Sequence, residues 1–125
     1  MAKGKTLVVD DEQMIQYLLS RLLTGEGYEV DTVSNSQEAL DLVRKRKYDL
    51  ILSDIKMPGI NGMELYKEVK KLDEALSRHM IFITGAIQDD DIQDFINING
   101  ATCIDKPFDI DHIRKTVDSM MAKSK

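Results

Sequence analysis

Four short apolar segments of the sequence end in residues whose side chains could do chemistry together. Asp10 and Asp11 follow the first segment, and Asp54 follows the second. Thr84 closes the third, and Lys106 comes just after the fourth. Carboxylates are the ligands that a hard divalent cation such as Mg²⁺ prefers, and a carboxylate can also act as a nucleophile. A hydroxyl and an ammonium group can bind phosphoryl oxygens, so the set predicts a site for a metal ion and a phosphoryl group, provided that the fold brings the residues together.

The apolar segments have the pattern of strands that are buried on both faces. They are rich in β-branched and aliphatic residues and comprise Leu7–Val9, Leu50–Leu52, Ile81–Ile83 and Cys103–Ile104. The first three show no alternation with polar residues, which is typical of central strands in a parallel sheet. Glu29–Val33 does alternate, so we expect a half-exposed strand there, at an edge of the sheet.

Segments with helical periodicity alternate with the predicted strands. The first predicted helix ends at Gly25–Gly27, and Ser36 can cap the second. The third begins near Asn61, the fourth stops at Asn99-Gly100, and Asp109 can cap the fifth. The apolar residues expected to face the core are Ile15, Leu18, Leu19, Leu22, Leu23, Ala39, Leu40, Val43, Leu65, Val69, Leu72, Ile92, Phe95, Ile96, Ile110, Ile113, Val117 and Met120.

Five repeats of strand followed by helix predict an α/β fold, a flavodoxin-like three-layer (βα)5 sandwich. Its parallel five-stranded sheet is expected in the order 2-1-3-4-5. Ligands of such sheets bind at the carboxyl ends of the strands, where Asp10, Asp11 and Asp54 would converge. Two carboxylates 4 Å apart repel by about 4 kcal/mol at an effective dielectric constant near 20, and a bound cation would offset this. Oxygen ligands alone favour Mg²⁺ over softer metals.

Longer runs around these residues form a recognisable set. They are Leu7-Val8-Val9-Asp10-Asp11-Glu12, Ser53-Asp54-Ile55-Lys56-Met57-Pro58-Gly59-Ile60-Asn61-Gly62, Ile83-Thr84-Gly85 and Lys106-Pro107-Phe108. In this order and spacing the runs resemble the receiver domain of bacterial two-component response regulators. The resemblance covers about residues 5–121.

The resemblance implies a role for each residue at the strand ends. Asp54 would accept the phosphoryl group as a carboxylate nucleophile. Asp11, Asp54 and the backbone carbonyl of Lys56 would bind Mg²⁺ directly, with Asp10 acting through water. Lys106 would pair with a phosphoryl oxygen, and Thr84 would donate a hydrogen bond to it.

Backbone features and an output surface are also implied by the resemblance. The Lys106–Pro107 peptide bond would be cis, and Met57-Pro58-Gly59 with Gly62 would shape the turn into the third helix. The fourth helix, fifth strand and fifth helix would form the face that changes on phosphorylation. Receivers usually carry Tyr or Phe three residues before the lysine, whereas this chain has Cys103, so the resemblance does not extend to an aromatic switch.

The length and composition of the chain exclude or disfavour several other classes of protein. The 125 residues, 42% hydrophobic, predict a single soluble domain with a core at about residues 5–121 and a polar, fraying tail at 122–125. A net charge of −5 argues against direct nucleic-acid binding. The single cysteine excludes an intrachain disulfide, and no apolar run approaches the length of a membrane span. A cytoplasmic setting is therefore expected.

The leading functional prediction is a phosphorylation-dependent signalling switch with Mg²⁺ as its cofactor. We expect the protein to be a phosphoacceptor regulator and not an enzyme. Its partners would be a sensor histidine kinase or histidine phosphotransfer protein and a downstream output domain or target. A phosphorylation-dependent dimer is one form the output could take.

One alternative function is that of an aspartate-nucleophile phosphohydrolase. Such an enzyme usually has a second acid two residues after the nucleophile, whereas this chain has Lys56 there. Another is a non-phosphorylated pseudo-receiver, against which the intact site residues argue. A dinucleotide-binding domain lacks its G-x-G-x-x-G run. The acid run Asp89–Asp91 is expected at a helix N-terminus.

Overall fold

The computed structural model describes residues 3–57 and 59–122. Within them lie five strands, which are β1 (Lys5–Val9), β2 (Glu29–Val33), β3 (Leu50–Asp54), β4 (Met80–Thr84) and β5 (Thr102–Asp105). The helices of these residues are α1 (Gln13–Gly25), α2 (Ser36–Lys45), α3 (Gly62–Leu72), α4 (Glu74–Ser77), α5 (Asp90–Asn99) and α6 (Ile110–Ala122). The one-turn helix α4 was not predicted, so the fourth and fifth predicted helices are α5 and α6.

The strands form one parallel sheet in the order β2-β1-β3-β4-β5, which confirms the flavodoxin-like prediction. Consecutive parallel strands need a crossover, and a helix lies between each pair along the chain. Strand β2 lies at an edge and is only partly buried, as its alternating sequence predicts. None of the helices in the described part of the chain combines the length and the apolar character needed to cross a bilayer.

Both faces of the sheet are covered, which explains the unbroken apolar runs of the central strands. Successive residues of a strand point to opposite faces, so Val8 packs with α1 and α6, while Leu7 and Val9 pack on the other side. On that other side, buried residues of α2, α3 and α5 complete the core. Strands β3 and β4 are buried along their whole length.

The helix ends agree with the sequence except at α2. Asn61 and Asp109 accept hydrogen bonds from backbone N–H groups of the first turns of α3 and α6, and Gly100 ends α5 with φ of 62°. Ser36 was predicted to cap α2, which is wrong: the Asn35 side chain accepts from Glu38 N at 2.9 Å. Ser36 is instead the first helical residue, and its buried hydroxyl lacks a hydrogen-bond partner among the described residues.

Three apolar residues predicted to face the core are exposed instead. Leu72 and Ile110 stand at the last residue of α3 and the first residue of α6, where a helix end has less of the sheet to cover. Leu18 lies at the margin of the apolar stripe of α1. Pro58, predicted in the turn before α3, and residues 123–125 of the predicted tail lie outside the described residues.

Candidate functional site

The parallel register brings the predicted site residues to one edge of the sheet. Val9 is aligned with Ser53, so Asp10 leaves β1 beside the end of β3, where Asp54 is the last residue. Asp54 is aligned with Ile83, directly before Thr84. Thr84 is in turn aligned with Asp105, directly before Lys106. The strand ends that carry the predicted residues therefore lie side by side along one cleft at this edge of the sheet.

Lys106 is the charged centre of this cleft. Its Nζ lies 3.1 Å from Oδ2 of Asp54, 3.4 Å from Oε1 of Glu12 and 3.7 Å from Oδ2 of Asp10. The side chain is 20% exposed, whereas Asp10 is 2% exposed. One ammonium group therefore neutralises part of the negative charge of three carboxylates. Its pairs with the buried Asp10 and Asp54 are stronger than its pair with Glu12, whose side chain is exposed.

Burial and charge change the proton affinities of the site. Burial raises the pKa of Asp10 to about 6, although a hydrogen bond from Glu12 N to Oδ1 and the charge of Lys106 act to lower it. Burial acts to lower the pKa of Lys106. The hydrogen bond to Asp54 and the charges of Asp10, Asp54 and Glu12 outweigh burial and raise the Lys106 pKa above its usual value. Lys106 is therefore held in its charged form.

Asp54 is held at the end of β3 by its own loop and by a close backbone approach. Its Oδ1 accepts from Lys56 N at 3.3 Å, and its carbonyl oxygen accepts from the Ser53 hydroxyl at 2.8 Å. Gly62 N donates to Ile55 O at 2.8 Å. A Cβ at Gly62 would lie 2.6 Å from the Asp54 carbonyl oxygen, so only glycine lets α3 begin this close to the phosphoacceptor candidate.

Thr84 lies beside the cleft and supports Lys106 through its backbone. The Thr84 carbonyl accepts from Lys106 N at 2.9 Å, and the Thr84 hydroxyl accepts from Ala86 N at 3.0 Å. The Lys106–Pro107 peptide bond is cis, as predicted.

Four carboxylates fit the predicted cation site. Single carboxylate oxygens of Asp10, Asp11, Glu12 and Asp54 all lie within 4.8 Å of one another. This set of hard oxygen donors has the chemistry that Mg²⁺ requires. Glu12 was missing from the predicted site, although its place directly after Asp10 and Asp11 could have indicated it.

The side chains of Lys56 and Cys103, which the sequence analysis also singled out, have their contacts outside the cluster of Asp10, Asp11, Glu12 and Asp54. Lys56 was predicted to contribute its backbone carbonyl, and its side-chain Nζ pairs with Asp89 Oδ2 at 2.5 Å. Asp89 is the N-cap residue of α5, which places the acid run at the helix start as predicted. Cys103 packs against the core on the α5 side of the sheet, and burial raises the pKa of its thiol to about 11.

Comparison with known proteins gives consistent matches. The family model of the response regulator receiver domain matches residues 6–118. Sporulation initiation phosphotransferase F of Bacillus subtilis is 39% identical over 117 residues, which cover 94% of this chain and 93% of that protein. The DNA-binding transcriptional regulator NtrC of Klebsiella pneumoniae is 36% identical, and the match covers 94% of this chain but only 25% of that regulator.

Solved structures show the same fold. Chemotaxis protein CheY4 of Vibrio cholerae superposes with a TM-score of 0.84 at 30% identity, covering 95% of this chain and 99% of that one. The response regulator protein TrrA of Thermotoga maritima, solved in complex with Mg²⁺ and BeF, has a TM-score of 0.81 at 34% identity. That match covers 96% of this chain and 99% of TrrA.

Proposed function

The chain belongs to the response regulator receiver domain family, and we propose that it is a signalling switch that accepts a phosphoryl group on Asp54. The ion pair of Asp54 with Lys106, inside a cluster of carboxylates, is the observation that carries the proposal. We propose that one phosphoacceptor unit at about residues 5–121 holds the whole site.

Asp54 would act as the nucleophile. Its carboxylate oxygen attacks the phosphorus atom of a phosphohistidine or a small phosphoramidate, and an O–P bond forms as the P–N bond of the donor breaks. The departing nitrogen takes up a proton, and the product is an aspartyl phosphate. The phosphoryl group adds negative charge at pH 7, and the Lys106 ammonium, already 3.1 Å from Asp54 Oδ2, can pair with it.

The metal ligands are proposed on the chemistry of the donor set. Asp11, Asp54 and the Lys56 carbonyl would hold Mg²⁺, with Asp10 acting through water. When bound, the ion neutralises charge on the transferring phosphoryl oxygens. Asp10 is buried with its pKa raised, so a cation nearby would favour its charged form.

Phosphorylation of Asp54 would change the position of Thr84 and of the surface next to it. The Thr84 hydroxyl would donate to the phosphoryl group, and its loop leads directly into α5. The proposed output face is α5, β5 and α6, because Thr84 and Lys106 border it. A shift in the population of two arrangements of this face would constitute the signal.

The proposed partners are a sensor histidine kinase or a histidine phosphotransfer protein in the cytoplasm. The name of the Bacillus subtilis relative, a phosphotransferase, supports a place in a phosphorelay. NtrC, a DNA-binding transcriptional regulator, suggests an output domain or target protein downstream. A hydrolase that uses a second acid two residues after its nucleophile is disfavoured, because Lys56 occupies that position and pairs with Asp89.

Intact-mass measurement tests the assignment. With phosphoramidate and Mg²⁺, the wild-type protein should gain the mass of one phosphoryl group, and Asp54→Asn should gain none. Asp105→Asn is the matched control, because Asp105 is an exposed acid at the end of β5 that lies outside the carboxylate cluster, and this variant should gain the same mass as wild type. Stoichiometric modification of Asp54→Asn would refute the proposal.

A further inference from the structure

Lys56 connects the candidate phosphoacceptor to the start of helix α5. Its backbone N–H donates to Oδ1 of Asp54 at 3.3 Å, while its Nζ lies 2.5 Å from Oδ2 of Asp89. Asp89 is the N-cap residue of α5, but its side chain makes no capping hydrogen bond. The hydrogen bond to Lys56 is the largest cause of the raised Lys56 pKa. The Asp89 carboxylate therefore serves the contact between two loops rather than the helix end.

The loop between β4 and α5 is tied together as one piece. Asp89 N donates to Ala86 O at 3.0 Å, and Ala86 N donates to the Thr84 hydroxyl at 3.0 Å. Gln93 of α5 donates from Nε2 to Ile87 O. Hydrogen bonds therefore link Asp89 through Ala86 to Thr84, beside the site.

We propose that Asp89, acting through Lys56, is a positioning residue that couples the loop after Asp54 to the start of α5. The ion pair stabilises the unphosphorylated arrangement, and a phosphoryl group on Asp54 weakens the pair by offering the Lys56 ammonium a second, doubly charged partner. The effect of the phosphoryl group on the pair rests on the proposed function. Cys103 lacks a ring that could turn, so the pair provides a route to α5 that needs no aromatic side chain.

The exposure of the pair limits the size of the effect. The Lys56 and Asp89 side chains are 62% and 42% exposed, and exposed ion pairs are weak. We therefore expect a two- to fivefold effect, about the range that such pairs give. Because coupling is reciprocal, removing the Asp89 carboxylate, which leaves the Lys56 ammonium free for the phosphoryl group, should favour the phosphorylated arrangement by the same factor.

Beryllofluoride, a phosphoryl mimic that binds with Mg²⁺, is the probe for this coupling. NMR titrations at saturating Mg²⁺ should show about two- to fivefold tighter binding to Asp89→Asn, whereas Lys56→Gln should show no such gain, because it also lacks the ammonium that would pair with the mimic. In the Lys56→Gln background, Asp89→Asn should have no further effect, because the interaction that it removes is already absent. Lys56→Arg keeps the charge, so Asp89→Asn should still tighten binding in that background.

Lys71→Gln is the matched control. Lys71 pairs with Glu68 on α3 at 3.0 Å, with side chains 74% and 40% exposed, so its loss should leave beryllofluoride affinity unchanged. A gain from Asp89→Asn that persists in the Lys56→Gln background, or that is lost in the Lys56→Arg background, would overturn the coupling.

A second measurement needs no phosphoryl mimic. In the unmodified protein, Asp89→Asn should shift the amide resonances of residues 55–57, and Lys56→Gln should shift those of residues 85–91. Absence of these cross-loop shifts would refute the contact. If the wild-type protein binds no beryllofluoride, the proposed function fails and the phosphorylation half of this inference fails with it, while the shifts still decide whether the pair joins the loops.

Discussion

Nζ of Lys106 lies 3.1 Å from Oδ2 of Asp54, although the two residues are 52 positions apart in the chain. Parallel pairing creates this proximity, because β3 and β5 both end at the same edge of the sheet with β4 between them. Three carboxylates lie within 4 Å of this one ammonium, those of Asp54, Glu12 and Asp10, and Asp11 belongs to the same acidic cluster. The acids therefore outnumber the ammonium, which makes the stability of the fold sensitive to protons and cations.

The raised pKa of the Asp10 carboxyl group should make the free energy of unfolding depend on pH. Its folded pKa of about 6 exceeds its ordinary value of 3.8, so the folded state binds the proton more tightly than the unfolded chain does. EDTA keeps divalent cations away from the site in this experiment. Below about pH 4, Asp10 is protonated in both states and makes its largest contribution to the free energy of unfolding. That contribution should fall by about 3 kcal/mol as the pH rises from about 4 to above about 6. Urea unfolding at a series of pH values measures this.

Asp10→Asn should remove most of this slope and raise the stability at pH 7, because it eliminates a buried charge. Asp105→Asn alters an exposed acid outside the cluster and should leave the slope in place. An unchanged slope in Asp10→Asn would assign the titration to another group.

Magnesium should stabilise the fold through the same acids. At ten times its dissociation constant, Mg²⁺ should add about 1.4 kcal/mol to the free energy of unfolding, because it binds the folded site. Thermal melting with and without Mg²⁺ measures the shift. Asp11→Asn should lose most of it, and Asp41→Asn on α2 should keep it. A full shift in Asp11→Asn would place the metal elsewhere.

The central strands and the place of the site could be predicted from the sequence because burial leaves a direct mark on it. Val8 and Leu52 both belong to continuous apolar runs, which only a sheet covered on both faces accommodates. Once the strand order is known, parallel register places Asp10, Asp54 and Lys106 together without further information.

Side-chain partners at the surface could not be predicted in this way. The pair of Lys56 with Asp89 depends on how two loops approach each other and on rotamers of long side chains, for which strand periodicity has no signal. The choice of Asn35 over Ser36 as the cap of α2 is a difference of one residue between two good capping types. Ile110 fits the apolar stripe but lies at a helix end, where periodicity does not indicate exposure.

Gly62→Ala should destabilise the protein. The new Cβ would lie 2.6 Å from Asp54 O and 2.8 Å from Ile55 Cα, so the start of α3 must move away from β3. We expect a loss of about 1–3 kcal/mol by urea unfolding, the usual range for overpacking at a rigid contact. Gly25→Ala is the control, since an added Cβ there would meet no described atom within 4 Å apart from its chain neighbours and the backbone of α1. Equal effects of the two substitutions would contradict the close approach.

The Cys103 thiol should be slow to react and dispensable for phosphorylation. Burial raises its pKa to about 11, whereas the ordinary value is 9.0, so the folded protein holds far less thiolate at pH 8 than the unfolded chain does. Since the thiolate is the nucleophile, a disulfide reagent should modify native protein about a hundredfold more slowly than protein unfolded in urea. Absorbance of the released thiolate gives both rates, and similar rates would show that the thiol is freely accessible. Cys103→Ser should gain one phosphoryl mass as wild type does, because the Cys103 side chain packs against the apolar core and its thiol is neutral.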